Sequence, residues 1–134
     1  PGRSGIYSPD GRRFIYVMRQ KGLIYNQDWK TILVCDASTG KKISEMHGHR
    51  DPIVDFIVTP DNQRVISLDS GGMLKVWDME TTQELLSINA MLVREGGLTT
   101  SIGGTLVIDP QGRKLALVHG GHVRLWSTGR ISNP

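Results

Sequence analysis

The chain has 134 residues, 38% of them hydrophobic and 22% charged, which is ordinary for one globular unit with its own core. Its single cysteine, Cys35, excludes an intrachain disulfide framework and fits a reducing compartment such as the cytoplasm. No run approaches about 18 apolar residues and no signal-peptide pattern opens the chain, so we expect no membrane association. The net charge of +3 comes from scattered basic pairs such as Arg12-Arg13, which favour solvated loops over a nucleic-acid patch.

Three short turns recur along the chain at a spacing of about 50 residues. They are Pro9-Asp10-Gly11, Pro60-Asp61-Asn62 and Pro110-Gln111-Gly112. Proline fixes φ and glycine tolerates positive φ, so such a tripeptide reverses a strand tightly. Each turn is followed by two β-rich runs, at 14–17 and 32–36, at 65–68 and 74–78, and at 115–118 and 123–127. The pattern predicts antiparallel strands.

Helix is not favoured anywhere in the chain. Sixteen glycines indicate many turns, and no segment of ten or more residues keeps a helical period with caps at both ends. The nearest candidate is 81–93, for which we predict a strand over 84–88 followed by a loop. The expected fold class is therefore all-β.

The middle of the chain resembles one complete WD40 repeat. It begins with Gly48-His49, continues through the turn at Pro60 and ends with Trp77-Asp78. The two flanking segments match in the turn and in the final strand. The resemblance implies a partial β-propeller of three four-stranded antiparallel blades, at about 5–46, 47–89 and 105–134. Three blades do not close a ring, so we expect further repeats, or self-association into a ring with another chain.

The resemblance also implies a buried hydrogen-bonded set of histidine, serine or threonine, aspartate and tryptophan in each complete repeat. The signature residues in this chain are His49, Ser67, Asp69, Trp77, Asp78 and Trp126. The family's aspartate position is taken by Gly71 in the second repeat and by Gly120 in the third. We therefore expect an incomplete polar network, with a contact between His49 and Asp69 only if the turn is re-registered.

Two insertions interrupt the repeats. The first adds about nine residues around 20–30, and the second adds about eight residues within 89–104. In a meander both fall on the same face, and long loops on a rigid scaffold are common binding sites. We predict a protein-binding surface that contains Arg19, Tyr25, Trp29, Met91, Leu92 and Arg94. The alternative is that Tyr25 and Trp29 only pack on their own loop.

No set of residues in the sequence converges on catalysis. The histidine pairs are His47 with His49 and His119 with His122. Neither pair has the further ligands that a metal site needs. Ser67, with His49 and Asp69, supplies the components of a hydrolytic triad, but it lies inside a β-run without a nucleophile turn. We therefore predict no enzyme activity, no cofactor and no metal site.

The expected function is that of a non-catalytic protein-interaction scaffold or sensor module within a larger propeller, and neither nucleic acid nor membrane is the favoured partner. One alternative is an enzyme-type propeller, because residues 36–40 resemble the Asp-x-x-Thr-Gly element of quinoprotein repeats. The other is recognition of an acidic or nucleic-acid partner by the basic loops, which predicts steeply salt-dependent binding.

Overall fold

The computed structural model describes residues 4–18, 20–21, 27–90 and 104–127. These residues form strands and turns only, as the sequence predicts. The strands are β1 (Gly5–Tyr7), β2 (Arg13–Val17), β3 (Gln20–Lys21), β4 (Gln27–Asp28), β5 (Ile32–Asp36), β6 (Lys42–Met46), β7 (Ile53–Val58), β8 (Arg64–Asp69), β9 (Met73–Asp78), β10 (Glu84–Asn89), β11 (Thr105–Ile108), β12 (Lys114–His119) and β13 (His122–Ser127). Within the described ranges there is no helix that could cross a membrane.

The strands form three antiparallel sheets that follow one another without closing a ring. Sheet I has the order β1-β2-β5-β6, sheet II comprises β7 to β10, and sheet III comprises β11 to β13. Sheets I and II are four-stranded blades, as expected. Sheet III has three strands in the part of the chain that the structure describes, where we expected four. The first insertion was predicted as a loop, and instead it contains the short hairpin of β3 and β4.

The three Pro turns share one backbone geometry. In each, the residue before proline accepts a hydrogen bond from the amide three residues later, at 2.8–2.9 Å. That later residue has a left-handed backbone in every case. The three are Gly11 (φ 74°), Asn62 (φ 64°) and Gly112 (φ 70°). Glycine and asparagine are the residues that adopt this conformation most readily, so the repeated turn follows directly from the sequence.

A second set of turns lies at the same end of the sheets. The Asp78 carboxylate accepts the amides of Glu80 and Thr81, both at 2.9 Å, and Asp36 accepts the amides of Ser38 and Thr39 in the same way. The bond from the Thr81 amide holds the pKa of the Asp78 carboxyl below its usual range. We call this end, with the connections β1–β2, β5–β6, β7–β8, β9–β10 and β11–β12, the turn end. The opposite end is the loop end.

Sheet II is covered on both faces. Alternate residues of a strand point to opposite faces, so Val65 contacts sheet I while Ile66 and Leu68 contact sheet III. The cluster between sheets I and II includes Ile15, Val17, Ile32, Val34, Met46, Phe56 and Trp77. The cluster between sheets II and III includes Ile57, Leu74, Val76, Leu106, Leu115 and Leu117. Full burial of each such aliphatic side chain contributes about 1.5–3 kcal/mol, so sheet II contributes to two cores.

Candidate functional site

Four polar side chains meet in the interior at the loop end of sheet II. His49 Nδ1 lies 2.8 Å from Asp69 Oδ2, and His49 Nε2 lies 2.6 Å from Ser67 Oγ. Trp77 Nε1 donates to the same Ser67 oxygen at 2.8 Å. The side chains of His49 and Asp69 are only 0% and 2% exposed. We call these four residues the polar network.

One arrangement of hydrogens satisfies the whole polar network. The Trp77 indole can only donate, so Ser67 Oγ accepts from it and gives its own hydrogen to His49 Nε2. The His49 proton then lies on Nδ1 and is donated to Asp69. The second Asp69 oxygen, Oδ1, accepts the amides of Gly71 at 3.0 Å and Met73 at 2.9 Å. No polar hydrogen of the network is left without an acceptor, as burial requires.

The expectation of an incomplete network is wrong for the second repeat. The acid comes from Asp69 at the end of β8, and not from the family's position at Gly71. The connection between β8 and β9 is long enough for Asp69 to bond both His49 and the turn amides. A Cβ at Gly71 would meet the Asp51 carboxylate, the end of an exposed side chain that would have to move aside. The order Asp69-Ser70-Gly71 is typical of an Asx turn, and this signal could have located the acid.

Sheet III has no equivalent network among its described residues. Leu117 occupies the position of Ser67 and His119 occupies that of Asp69. His119 pairs with His122 across a tight turn through Gly120 (φ 51°) and Gly121 (φ 80°). Across the described ranges, no three His, Cys, Asp or Glu side chains group as metal ligands would.

The polar network has the connectivity of a hydrolytic triad, from Ser67 through His49 to Asp69. A triad serine, however, must present its oxygen to a substrate carbonyl. Ser67 is 0% exposed, and its oxygen is already bonded to both His49 and Trp77. This arrangement is suited to a different task, because it ties the β6–β7 connection to the ends of β8 and β9.

Both insertions are attached to sheet II by hydrogen bonds at the loop end. The Ile53 amide donates to the Trp29 carbonyl at 2.7 Å, where the first insertion returns to its sheet. The Ala90 amide donates to the Gly72 carbonyl at 2.7 Å, where the second insertion begins. The Leu106 amide donates to the buried carboxylate of Asp55 at 2.8 Å, just after the second insertion ends. The second insertion is therefore bonded to sheet II at both of its ends, whereas the first is bonded to sheet II at Trp29 and closes within sheet I, where the Met18 amide donates to the Thr31 carbonyl at 2.9 Å.

Of the predicted partner-binding residues, the structure describes only Trp29. Its side chain is partly buried and packs against the cluster between sheets I and II. The remaining predicted residues lie outside the described ranges, and they are Arg19, Tyr25, Met91, Leu92 and Arg94.

The described surface of the loop end carries imidazole groups together with charges of both signs. Arg50 and His122 are exposed there, and His47 is exposed beside Glu45, with His47 Nε2 at 2.7 Å from the Glu45 carboxylate. The hydrogen bond from Lys42, followed by that from His47, lowers the pKa of the Glu45 carboxyl. All four histidines of the chain lie in connections or strand ends at this end of the sheets. This clustering was not predicted, although the positions of the histidines in the repeats could have indicated it.

A scan of the sequence against protein-family models finds no match, and a search of curated proteins finds no similar sequence. The resemblance to WD repeats therefore rests on the residues of this chain alone.

Proposed function

We propose that the chain is a non-catalytic WD-repeat module, part of a larger propeller, that presents two insertions to a protein partner from its loop end. The observation that carries this proposal is the attachment of both insertions to sheet II. Three hydrogen bonds, at the Ile53 amide, the Gly72 carbonyl and the Asp55 carboxylate, join these insertions to sheet II.

The polar network fixes sheet II as a rigid support for the two insertions. His49 belongs to the connection between sheets I and II, and its bonds to Ser67 and Asp69 fix that connection to the interior. A loop whose ends are already fixed loses less conformational entropy when it binds. This geometry favours loop presentation over a loosely tethered linker.

A binding role also agrees with the state of the candidate catalytic groups. The Ser67 oxygen is buried and hydrogen-bonded to His49 and Trp77. Both Asp69 oxygens are also hydrogen-bonded, one to His49 and the other to amides of the turn. We therefore expect a serine-directed phosphonate probe to leave the folded chain unlabelled. Stoichiometric labelling of Ser67 in the folded protein would contradict the non-catalytic proposal.

The proposal is tested by shortening the first insertion. Residues 19–28 are replaced by Gly-Gly, which keeps Trp29 and its carbonyl and imitates the short turn at Gly120-Gly121. The matched control carries Arg12→Ser and Lys41→Ser at the turn end, where both side chains are exposed. Far-UV circular dichroism and urea unfolding first establish that both variants fold.

Binding is then compared by crosslinking each folded protein in cell extract and quantifying the captured proteins. We expect a partner that the wild type and the turn-end variant capture equally and the shortened variant loses at least tenfold. If the shortened variant captures the same proteins at the same level, the first insertion is not the binding element. If only the turn-end variant loses the captured proteins, the binding surface lies at the turn end and not at the loop end.

A further inference from the structure

A series of backbone hydrogen bonds crosses the loop end of sheet II from one insertion to the other. It begins at the Trp29 carbonyl, which accepts the Ile53 amide at 2.7 Å. The neighbouring Pro52 carbonyl accepts the Ser70 amide at 2.8 Å, so the β6–β7 connection is bonded to the β8–β9 connection. The series ends where the Ala90 amide donates to the β8–β9 connection at 2.7 Å. The bases of the two insertions are therefore joined through two connections of one sheet.

One buried carboxylate holds both of these connections. Asp69 Oδ2 lies 2.8 Å from Nδ1 of His49, which belongs to the β6–β7 connection. Asp69 Oδ1 accepts the amides of Gly71 and Met73, in the β8–β9 connection and at the start of β9. The Asp69 residue is only 1% exposed, and hydrogen bonds to an ionised acceptor are stronger than neutral ones. Release of either connection would leave part of this buried carboxylate without a partner, which is unfavourable.

We propose that Asp69 couples the two insertions, so that the β6–β7 and β8–β9 connections open and close as one cooperative unit. Proteins open locally in contiguous units of this kind. A partner that orders one insertion then favours order at the base of the other, because the shared connections need to be ordered only once. This consequence for binding rests on the proposed function, whereas the coupling itself is a property of the chain without a partner.

Two substitutions of His49 separate the coupling from the general stability of the polar network. His49→Gln places its amide group near the position of Nε2, so it keeps a bond to Ser67 and loses the bond to Asp69. His49→Asn places its amide group near the position of Nδ1, so it keeps a bond to Asp69 and loses the bond to Ser67. Each variant removes one bond of the network, but only His49→Gln separates the two connections.

The first measurement is hydrogen exchange of the Ala90 amide, whose acceptor is the Gly72 carbonyl and not a group of His49. The reference is the Asn62 amide, which bonds the Thr59 carbonyl at the turn end of the same sheet. In His49→Gln we expect Ala90 exchange to rise at least about tenfold relative to Asn62, as the loss of a buried hydrogen bond implies. In His49→Asn the same ratio should stay within about threefold of the wild type.

Three outcomes of this measurement would overturn the proposal. If Ala90 exchange in folded His49→Gln equals that of the wild type, the insertions are independent. If both variants accelerate Ala90 equally, the bond between His49 and Asp69 carries no coupling. If Asn62 is accelerated as much as Ala90, the whole sheet has been destabilised and the connections are not a separate unit.

The second measurement runs in the opposite direction, because coupling between two sites must be reciprocal. Gly72 has a left-handed backbone (φ 88°), so Gly72→Ala strains the β8–β9 connection to which Ala90 is bonded. We expect faster exchange of the Ile53 amide, which bonds the first insertion. Gly11→Ala imposes the same kind of strain (φ 74°) at the turn end and should leave Ile53 exchange unchanged. Wild-type exchange of Ile53 in Gly72→Ala, or equal acceleration in Gly11→Ala, would contradict the coupling.

Circular dichroism first establishes that each variant folds. The two measurements use different variants, so either remains decisive if a variant of the other fails to fold. Neither requires a partner. Absence of coupling would leave the proposed function intact, because capture of a partner by the first insertion does not depend on the second. Loss of partner capture would likewise leave the coupling in place.

Discussion

Strands β11 to β13 of sheet III are arranged like β7 to β9 of sheet II, with the same kind of turn at Pro60 and Pro110, but the interiors of the two sheets differ. In sheet II, Ser67 and Asp69 belong to a polar network between two covered faces. In sheet III, Leu117 fills the equivalent interior position and one face is open. The repeated turns are therefore sufficient to build the backbone of a blade. The polar network and the two covered faces decide how firmly that blade is held.

The comparison also indicates what the polar network contributes. Replacing buried polar groups by well-packed apolar ones is often neutral for stability. Removing a single member of a complete network is not neutral, because its partners stay buried without hydrogen bonds. We therefore expect substitutions in sheet II to be more damaging than equivalent ones in sheet III.

The largest contrast is expected between Trp77→Ala and Trp126→Ala. Trp77 is 1% exposed and donates to Ser67, so its truncation should lower the free energy of unfolding by about 3–5 kcal/mol. Trp126 is only partly buried, against the second core and the Arg124 guanidinium, and its truncation should have less than half that effect. Urea unfolding followed by far-UV circular dichroism measures both. Equal losses would show that the two sheets are equally firm.

A second contrast concerns the acid of the polar network. Asp69→Ala leaves the His49 Nδ1 hydrogen and the amides of Gly71 and Met73 without their acceptor. We expect a loss of about 3 kcal/mol, the upper end of the range for leaving buried hydrogen-bonding groups without a partner. His119→Ala at the matching position of sheet III is the control and should lose much less. If His119→Ala lowers the free energy of unfolding as much as Asp69→Ala does, the polar network gives Asp69 no particular importance for stability.

A third contrast compares two turns at the turn end. Thr82 adopts a left-handed backbone (φ 60°) where the matching turn of sheet I has Gly40 (φ 74°). A β-branched residue in this conformation is strained by about 1–2 kcal/mol. Thr82→Gly should therefore raise the free energy of unfolding by about 1 kcal/mol, and Gly40→Thr should lower it by a similar amount. Opposite shifts in the urea midpoint are the expected result, and shifts of the same sign would contradict it.

The smallest effect concerns acid stability. Hydrogen bonds from the Thr81 amide lower the pKa of Asp78, and those from the Lys114 amide lower the pKa of Asp109. A folded-state pKa below the unfolded value stabilises the fold above the ordinary aspartate range. That stability is lost as the pH falls through the lowered folded-state pKa. The urea midpoint should therefore fall on acidification below about pH 4, less steeply for Asp78→Asn than for the wild type. Parallel pH profiles would show that Asp78 makes no difference.

Local chemistry explains which features the sequence predicted correctly. The Pro turns, the strand at β10 and the absence of helix in the described ranges depend on residues close together in the chain. The role of Asp69 was predicted only in part, because it depends on the β8–β9 turn, whose Gly71 and Met73 amides bond the Asp69 carboxylate. The hairpin of β3 and β4 was missed because two-residue strands leave no period to detect.

The surfaces were harder to predict than the turns. The side chains of sheet II that pack on sheet III and the side chains at the matching positions of sheet III are all apolar. Only the presence of a neighbouring sheet makes the first set buried and the second exposed. That information is not local. The attachment of both insertions to sheet II likewise depends on pairings such as Leu106 with Asp55, which are 51 residues apart.

The three tryptophans of the chain lie one to a blade, with Trp29 beside sheet I, Trp77 inside sheet II and Trp126 on sheet III. An indole shielded from water emits at shorter wavelength than one in contact with water. We therefore expect the fluorescence emission of Trp77 to lie at shorter wavelength than that of Trp126. Variants that keep one tryptophan each would report the melting of one blade at a time. In the described ranges sheet II packs on both other sheets, so we expect the fluorescence of these variants to follow unfolding from the open end at sheet III toward the doubly covered middle.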